Sequence, residues 1–358
     1  MTATPADKGP ISIGIDAMGT DQGPAALVEG AARALKAGAD AAITFFGDEP
    51  ALKPLIAQHS ILSSARIEHC AASVAMTDKP MHVLRRGRDT SMWKAVEAQK
   101  EGRVRAVVSG GNTGALMAVS RMQLGMIAGV DRPAVTALWP TPRGRVVVLD
   151  VGANVEANEK ELVNFAIMGE AFFRALTGKA KPTVGLLNVG AEELKGHELI
   201  RAAARTLREA DPDMAFIGFV EGNDISEGGA DVVVTDGFTG NIALKSAEGA
   251  ARLLGGWVKE ALTGSMLAKL GALLMIGDLK KLKEKMDPSS VNGGVFLGVN
   301  GVVVKSHGGA DAKGVASAVS MAATLVGKGF RREVSETVAL VRARAEIATP
   351  PDAIKAAE

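Results

Sequence analysis

ADVVVTDGFTGNIALK, residues Ala230 to Lys245, decides the fold. Val232, Val233 and Val234 run without polar alternation, which is the pattern of a strand buried on both faces. Asp236, Gly237, Thr239 and Gly240 then break the run, and a helical pattern starts around Asn241. A doubly buried strand that turns straight into a helix is the repeating unit of a parallel sheet covered by helices on each side.

The same signature recurs along the chain. ISIGID (11–16), AAITFFGD (41–48), VRAVVSGGN (104–112), VVVLDVGAN (146–154) and TVGLLNVG (183–190) are apolar runs ending in Gly, Asp or Asn. Helical periodicity fills the intervals, as in ELVNFAIMGEAFFRAL and GHELIRAAARTLREA. The expected fold is therefore a three-layer α/β/α unit with a mostly parallel central sheet. No repeat or low-complexity linker divides it. Residues 1–10 read as a disordered lead-in, 11–330 as one α/β domain, and 331–358 as a C-terminal helix and tail.

The stretch 238–286 differs. It reads as a protruding helical hairpin of two long arms joined by Thr-Gly-Ser. The second arm carries Met266, Leu267, Leu270, Leu273, Leu274, Met275 and Ile276, followed by Lys280, Lys281, Lys283 and Lys285. Two readings fit: a dimer or core helix with a solvated basic end, or an interfacial element whose apolar tip enters lipid while its lysines meet anionic headgroups.

Composition narrows the function. The 358 residues are 47% apolar, with 41 basic and 40 acidic side chains and a net charge of +1. That balance argues against the basic face that a nucleic-acid backbone requires. Cys70 is the single cysteine, so no internal disulfide forms, and a small core residue is its simplest reading. No secretory signal and no run of about 18 apolar residues is visible, so the expectation is a cytoplasmic protein able to lie on a membrane surface.

The turns carry the chemistry. At the start of a helix, unpaired backbone N–H groups and the helix dipole favour an anion, and glycine lets a ligand approach closely. Asp236, Thr239, Gly240 and Asn241 form such a turn, with Lys245 one helical turn on. Ser109, Gly110, Gly111, Asn112, Thr113 and Gly114 form a second. Asp150, Gly152 and Asn154 follow a third strand; Asn188, Gly190 and Lys195 a fourth; Asn300, Lys305 and His307 belong to GVNGVVVKSHGG. If these strand ends share one sheet edge, they line a cleft of N–H groups, amides and cations suited to phosphate and to an oxyanion. Lys245 and Lys195 have a second reading as solvated helix or loop lysines, and His307 as a structural residue. Asp16, Asp150 and Asp236 are expected to cap or orient the turns, since carboxylates repel phosphate. No G-x-G-x-x-G at the start of a βαβ unit, P-loop motif or nucleophile elbow is present; no cofactor and no metal are expected.

At these residues the chain resembles a known family. IDAMGTD, SGGNTGALMA, LDVGANV, GLLNVGAEELKG, FVEGNDI, DVVVTDGFTGNIALKSAEG and LGVNGVVVKSHG match, in order and spacing, the phosphate acyltransferases of bacterial phospholipid synthesis, from about Ile11 to Phe330. EANEKEL after Asn154 and HGGAD from His307 to Asp311 depart from the family's usual residues. The resemblance implies a fold like that of phosphotransacetylases and isocitrate dehydrogenases, a homodimer, and peripheral attachment to the inner face of the cell membrane through the hairpin. It also implies transfer of a long-chain acyl group from acyl-[acyl-carrier protein] to inorganic phosphate, with the acyl phosphate passed to a membrane glycerol-phosphate acyltransferase.

Phosphate is already anionic near neutral pH, so the reaction needs no serine, cysteine or metal-activated water. It needs two reactants held together and an oxyanion steadied. On this reading Asn241, Lys245, Lys195 and His307 are the catalytic candidates, His307 protonating the departing thiolate or orienting substrate. Asn112, Thr113, Gly114, Asn154, Asn188, Asp236, Thr239, Gly240 and Asn300 are candidates for holding substrate or phosphate. Three rivals stand beside it: a phosphate acetyl- or butyryltransferase using coenzyme A, a nicotinamide-dependent decarboxylating dehydrogenase, and a non-catalytic membrane scaffold.

Overall fold

In the computed structural model, residues 11–210, 214–279 and 294–348 are described. The lead-in 1–10, the four lysines from Lys280 to Lys285 and the tail after 348 lie outside them. Among the described residues eleven strands form one sheet: β1 (Ser12–Asp16), β2 (Ala42–Gly47), β3 (Arg66–His69), β4 (Ala106–Ser109), β5 (Ala134–Thr141), β6 (Gly144–Leu149), β7 (Thr183–Leu187), β8 (Ala215–Val220), β9 (Val232–Val234), β10 (Gly294–Leu297) and β11 (Val302–Lys305). Their spatial order is β3-β2-β1-β4-β11-β10-β5-β6-β9-β7-β8. All six apolar runs quoted above are strands.

The sheet holds two parallel sets that run in opposite directions. β3, β2, β1, β4 and β11 are mutually parallel, as are β6, β9, β7 and β8. β10 is antiparallel to β11 and to β5, and β5 is antiparallel to β6, so direction reverses across this join. The carboxyl ends of the two sets consequently leave from opposite edges of the sheet, which corrects the expectation of a single common edge.

Alternation along the strands assigns the helices to two layers. Ala106 and Val108, Val302 and Val304, Val147 and Leu149, and Val232 and Val234 face one continuous core. That core is covered by α1 (Gly23–Lys36), α2 (Glu49–Ala57), α6 (Glu159–Thr177), α7 (Glu198–Ala210), α11 (Ala312–Gly327) and α12 (Phe330–Ala348). The C-terminal helix α12 is part of this core, burying Phe330, Val334, Val338 and Val341, with the Phe330 ring edge-on to Phe172 at 5.9 Å.

On the other face the core is divided. Val107, Val303 and Phe296 meet α4 (Ser91–Lys100) and α5 (Thr113–Leu124), with α3 (Pro80–Arg86) packed on α5. Val146, Val148 and Val233 meet α8 (Gly222–Glu227) and the start of α9 (Gly237–Thr263). Val135 on β5 is half-buried between the two clusters. No described helix covers the sheet there.

The hairpin consists of α9 and α10 (Met266–Leu274), joined by Gly264 and Ser265, whose hydroxyl caps α10 by accepting from Ala268 N–H at 3.0 Å. Beyond its first turns α9 leaves the body. Trp257, Met266, Leu267, Leu270, Leu273, Leu274, Met275 and Ile276 are all exposed, Leu267 and Leu274 at 82%. No described helix is long and apolar enough to cross a membrane.

Candidate active site

The site residues fall into two groups, one at each carboxyl edge. On the first, the ends of neighbouring strands β1, β4 and β11 bring Asp16, Ser109–Asn112 and Lys305–His307 together. Asp16 is buried and accepts from Ser91 Oγ at 2.6 Å and Ser109 Oγ at 2.7 Å. Burial pushes its carboxyl above the usual range, opposed by those hydroxyls. Lys305 is buried beside it and donates to the Gly110 carbonyl at 3.2 Å and to the Ser306 carbonyl. Desolvation lowers its pKa to about 8. This pair fastens the Gly110 turn from below. His307 is exposed on the adjoining turn, its Nδ1 accepting from Gly309 N–H at 3.2 Å.

Asn112 begins α5, but its side chain is committed to the protein. Its Oδ1 accepts from Ala115 N–H at 3.0 Å, while Nδ2 donates to the Met76 and Asp78 carbonyls at 2.8 and 2.9 Å. Thr113 and Gly114, the first residues of the helix, have no carbonyl one turn back to bond within it. These two N–H groups, rather than the Asn112 amide, face outward from the turn.

The second group is the edge of β6, β9 and β7. Asp150 is buried and accepts at Oδ1 from the N–H groups of Val135, Gly152 and Ala153, and at Oδ2 from Asn154 N–H and Nδ2, all within 2.7–3.2 Å. Its pKa is raised by burial, against the pull of those donors. Asp236 caps α9 by accepting from Thr239 N–H and Oγ1, each at 2.8 Å. Gly237 N–H donates to the Asn154 carbonyl at 2.7 Å.

The glycines of this turn have a steric reason. A Cβ on Gly240 would stand 2.0 Å from the Asp150 carbonyl oxygen, and one on Gly237 2.4 Å from that of Asn154. They let α9 seat against the loop after β6, so close approach is to backbone rather than to ligand. Asn241 lies over Gly152, where a Cβ would be 3.8 Å from its Oδ1.

The remaining candidates are more dispersed. Asn188 is buried and folds its own loop, with Nδ2 donating to the Gly190 and Lys195 carbonyls. Lys195 is paired with Glu192 at 2.7 Å, which raises its pKa, and Lys245 is paired with Glu248 at 2.9 Å. Asn300 joins neither group. It sits before β11, at the opposite edge from His307, and its Oδ1 accepts from Arg331 at 2.7 Å. The departing segments are structural: Asn158 and Glu161 of EANEKEL form the capping box of α6, and Asp311 of HGGAD caps α11.

A groove of about 690 Å³ links the two groups. It lies where the second face of the sheet is uncovered, with Pro133 and Val135 below. One wall is α5, through Thr113, Gly114, Met117, Ala118, Arg121 and Met122, with Leu84 of α3. The other is Gly152–Asn154. Helix α5 starts at the first edge and returns to the opposite one, a run of about 18 Å for its 12 residues. The groove thus has a helix N-terminus at one end, the Asp150-organised loop at the other, and an apolar length between. Asn112, Asn241 and Lys245 do not line it; Asn241 adjoins its rim through Gly152.

The polar ends of the groove are legible in the sequence as glycine- and asparagine-bearing turns; its middle is not so marked. Arg121 and Met122 are exposed on α5 beside the half-buried Met117, and a large apolar side chain on the outward side of a helix is the signal present in the sequence.

The model of the fatty acid synthesis protein family matches residues 11–333. The chain belongs to that family. Other proteins similar to this family member include a phosphate acyltransferase from Maricaulis maris, 54% identical over 93% of this chain and 95% of its own, and one from Agrobacterium fabrum, 48% identical over 97% and 99%. Among solved structures, a phosphotransacetylase from Streptococcus pyogenes superposes with a TM-score of 0.61 at 16% identity, covering 90% of this chain and 95% of that one. At such identity the likeness speaks to the fold this family member shares, a mostly parallel sheet between helical layers.

Proposed function

We propose that the protein transfers a long-chain acyl group from the thioester of an acylated acyl carrier protein to inorganic phosphate, giving acyl phosphate and free carrier thiol for phospholipid synthesis. The groove is the observation that carries this reading. Its volume is within the roughly 300–1,000 Å³ of small-molecule sites, its length is apolar, one end presents the backbone N–H groups of Thr113 and Gly114, and the Asn241 amide adjoins the other. An acyl chain fits the middle, and anionic oxygens fit the ends.

A phosphate oxygen attacks the thioester carbonyl carbon, forming a C–O bond and a tetrahedral oxyanion. Collapse of that intermediate breaks the C–S bond, and the electron pair leaves on sulfur. The thiol's pKa of about 8.5 makes it a good leaving group, so His307 has only to deliver a proton to the thiolate or orient the arm that bears it. Thr113 and Gly114 N–H groups supply donors that favour charge developing on oxygen, and the Asn241 amide stands at the far end, where Asn154 orients the loop with its own donors held by Asp150 and the Pro133 carbonyl. Lys195 and Lys245 act only after releasing Glu192 and Glu248, as phosphate approaches. The exposed tip of α10 rests on the membrane surface, beside the acyltransferase that consumes the product, and two copies of the chain pair as a homodimer.

The test is direct. Purified protein, palmitoyl-[acyl carrier protein] and phosphate are mixed and the product is trapped with hydroxylamine. Phosphate-dependent hydroxamate supports the reading; none rejects it. Reaction of acetyl- or butyryl-coenzyme A in preference to the carrier thioester would favour the short-chain alternative.

A further inference from the structure

One charged surface is left unused by this mechanism. KPMHVLRRGR, residues 79–88, contains Lys79, Arg85, Arg86 and Arg88 without a carboxylate, and forms α3 with the turn that follows it. All four cations are exposed, as is Arg121 on α5. Among the described residues none of the four arginines Arg85, Arg86, Arg88 and Arg121 has an acidic side chain within ion-pair distance, whereas exposed Arg33, Arg103, Arg132, Arg205 and Arg208 each do. In a chain of net charge +1 this local excess is not a reflection of composition.

Its position is specific. α3 runs alongside α5: a Cβ on Gly114 would stand 3.1 Å from Pro80 Cγ, and Leu84 enters the groove wall. Arg85 and Arg88 follow Leu84 by one and four residues, and Arg121 lines the same groove. Arg85 and Arg86 thus end the helix whose Leu84 lines the cavity that is to receive the acyl group, and Arg88 lies in the turn after it.

Resting on the function proposed above, we infer that Arg85, Arg86 and Arg88 dock the acidic surface of the protein that delivers the thioester. An acidic partner is favoured by charge complementarity. Delivery at the lip is required because a thioester on a carrier must reach the groove from outside while its carrier stays in solvent. Exposed charges of this kind act within a Debye length of about 8 Å at physiological salt and govern encounter more than chemistry. Arg121, inside the groove, is left to the substrate itself.

The experiment compares the full-length protein with an Arg85→Ala, Arg86→Ala, Arg88→Ala variant on two thioesters of the same acyl group, one on acyl carrier protein and one on pantetheine. The expected result is a loss of about tenfold or more in kcat/KM for the carrier substrate, through KM, a flatter salt dependence, and a change of less than about twofold for the pantetheine substrate. Equal losses on both, or none on either, overturn the docking assignment. Carrier-protein binding by fluorescence anisotropy reads docking without turnover. If the wild type makes no acyl phosphate the function proposed above fails, while weaker carrier binding by the variant still upholds the docking surface and unchanged binding rejects it. Loss of binding to anionic vesicles without loss of carrier binding would mark the strip as a membrane contact and also overturn the proposal.

Discussion

Gly240 abuts the carbonyl of Asp150 so closely that a Cβ would lie 2.0 Å from its oxygen, locking the start of α9 to the loop that ends the groove. The contact is to backbone, which has no flexible end to move aside. Gly240→Ala should lower the urea midpoint by the equivalent of about 2–4 kcal/mol. Gly114→Ala is the contrast: its Cβ meets Pro80 at 3.1 Å, and alanine's better helix propensity offsets about 0.5–1 kcal/mol. That variant should keep its stability to within about 1 kcal/mol while acyl phosphate formation falls. Equal stability losses in the two would refute the distinction.

Lys305 gives a pH signature. Its folded-state pKa is about 8 against an ordinary 10.5, so between those values the unfolded chain holds more protons. Unfolding free energy then rises with pH, by up to about 1.4 kcal/mol per unit. Cys70 works the other way: burial raises its thiol from 9.0 to about 11, so the folded state keeps its proton longer and stability falls between those values. The chain has no tyrosine to obscure either effect. In Cys70→Ala, stability should climb from pH 8 to 10. Adding Lys305→Met should flatten the climb, and a persistent rise would assign it elsewhere.

The same burial predicts an inert thiol. Cys70 is 5% exposed and its Sγ donates to the Glu68 carbonyl at 3.6 Å. Iodoacetamide at pH 7.5 should leave the native protein unlabelled over an hour and modify one thiol per chain in denaturant. Rapid native labelling with loss of activity would overturn this and point to a reactive thiol.

How much of this was legible follows from where each signal resides. Val232–Val234 and its counterparts announce doubly buried strands because both faces must be apolar, and that property is local to each run. Asp236, Asp150 and Asp16 were readable as organisers of turns for the same reason. The reversal between β10 and β5 was not readable, since strand direction depends on pairing between residues such as Phe296 and Val135 that are far apart in sequence. Asn112 and the α9 glycines look like ligand contacts in a motif, yet serve Met76, Asp78 and the Asp150 loop, which only the packed structure brings near. Asn300 was misplaced because its own strand begins at the wrong edge.

The hairpin prediction separates two roles. Leu270 and Leu274 are 57% and 82% exposed, so changing both to Glu should alter folding stability by less than about 0.5 kcal/mol. Co-sedimentation with anionic liposomes should be abolished. If binding persists and light scattering instead shows a smaller particle, the tip is a subunit contact.

The change of strand direction at β10 and β5 has a further result. Each shoulder of the groove is rooted in a different parallel ladder, and only two antiparallel strands join them. Substitutions beneath α5 can therefore reshape one shoulder of the groove without disturbing the Asp150 loop, and the reverse holds equally. The two shoulders are separately tunable in such a layout, each inherited with its own half of the sheet.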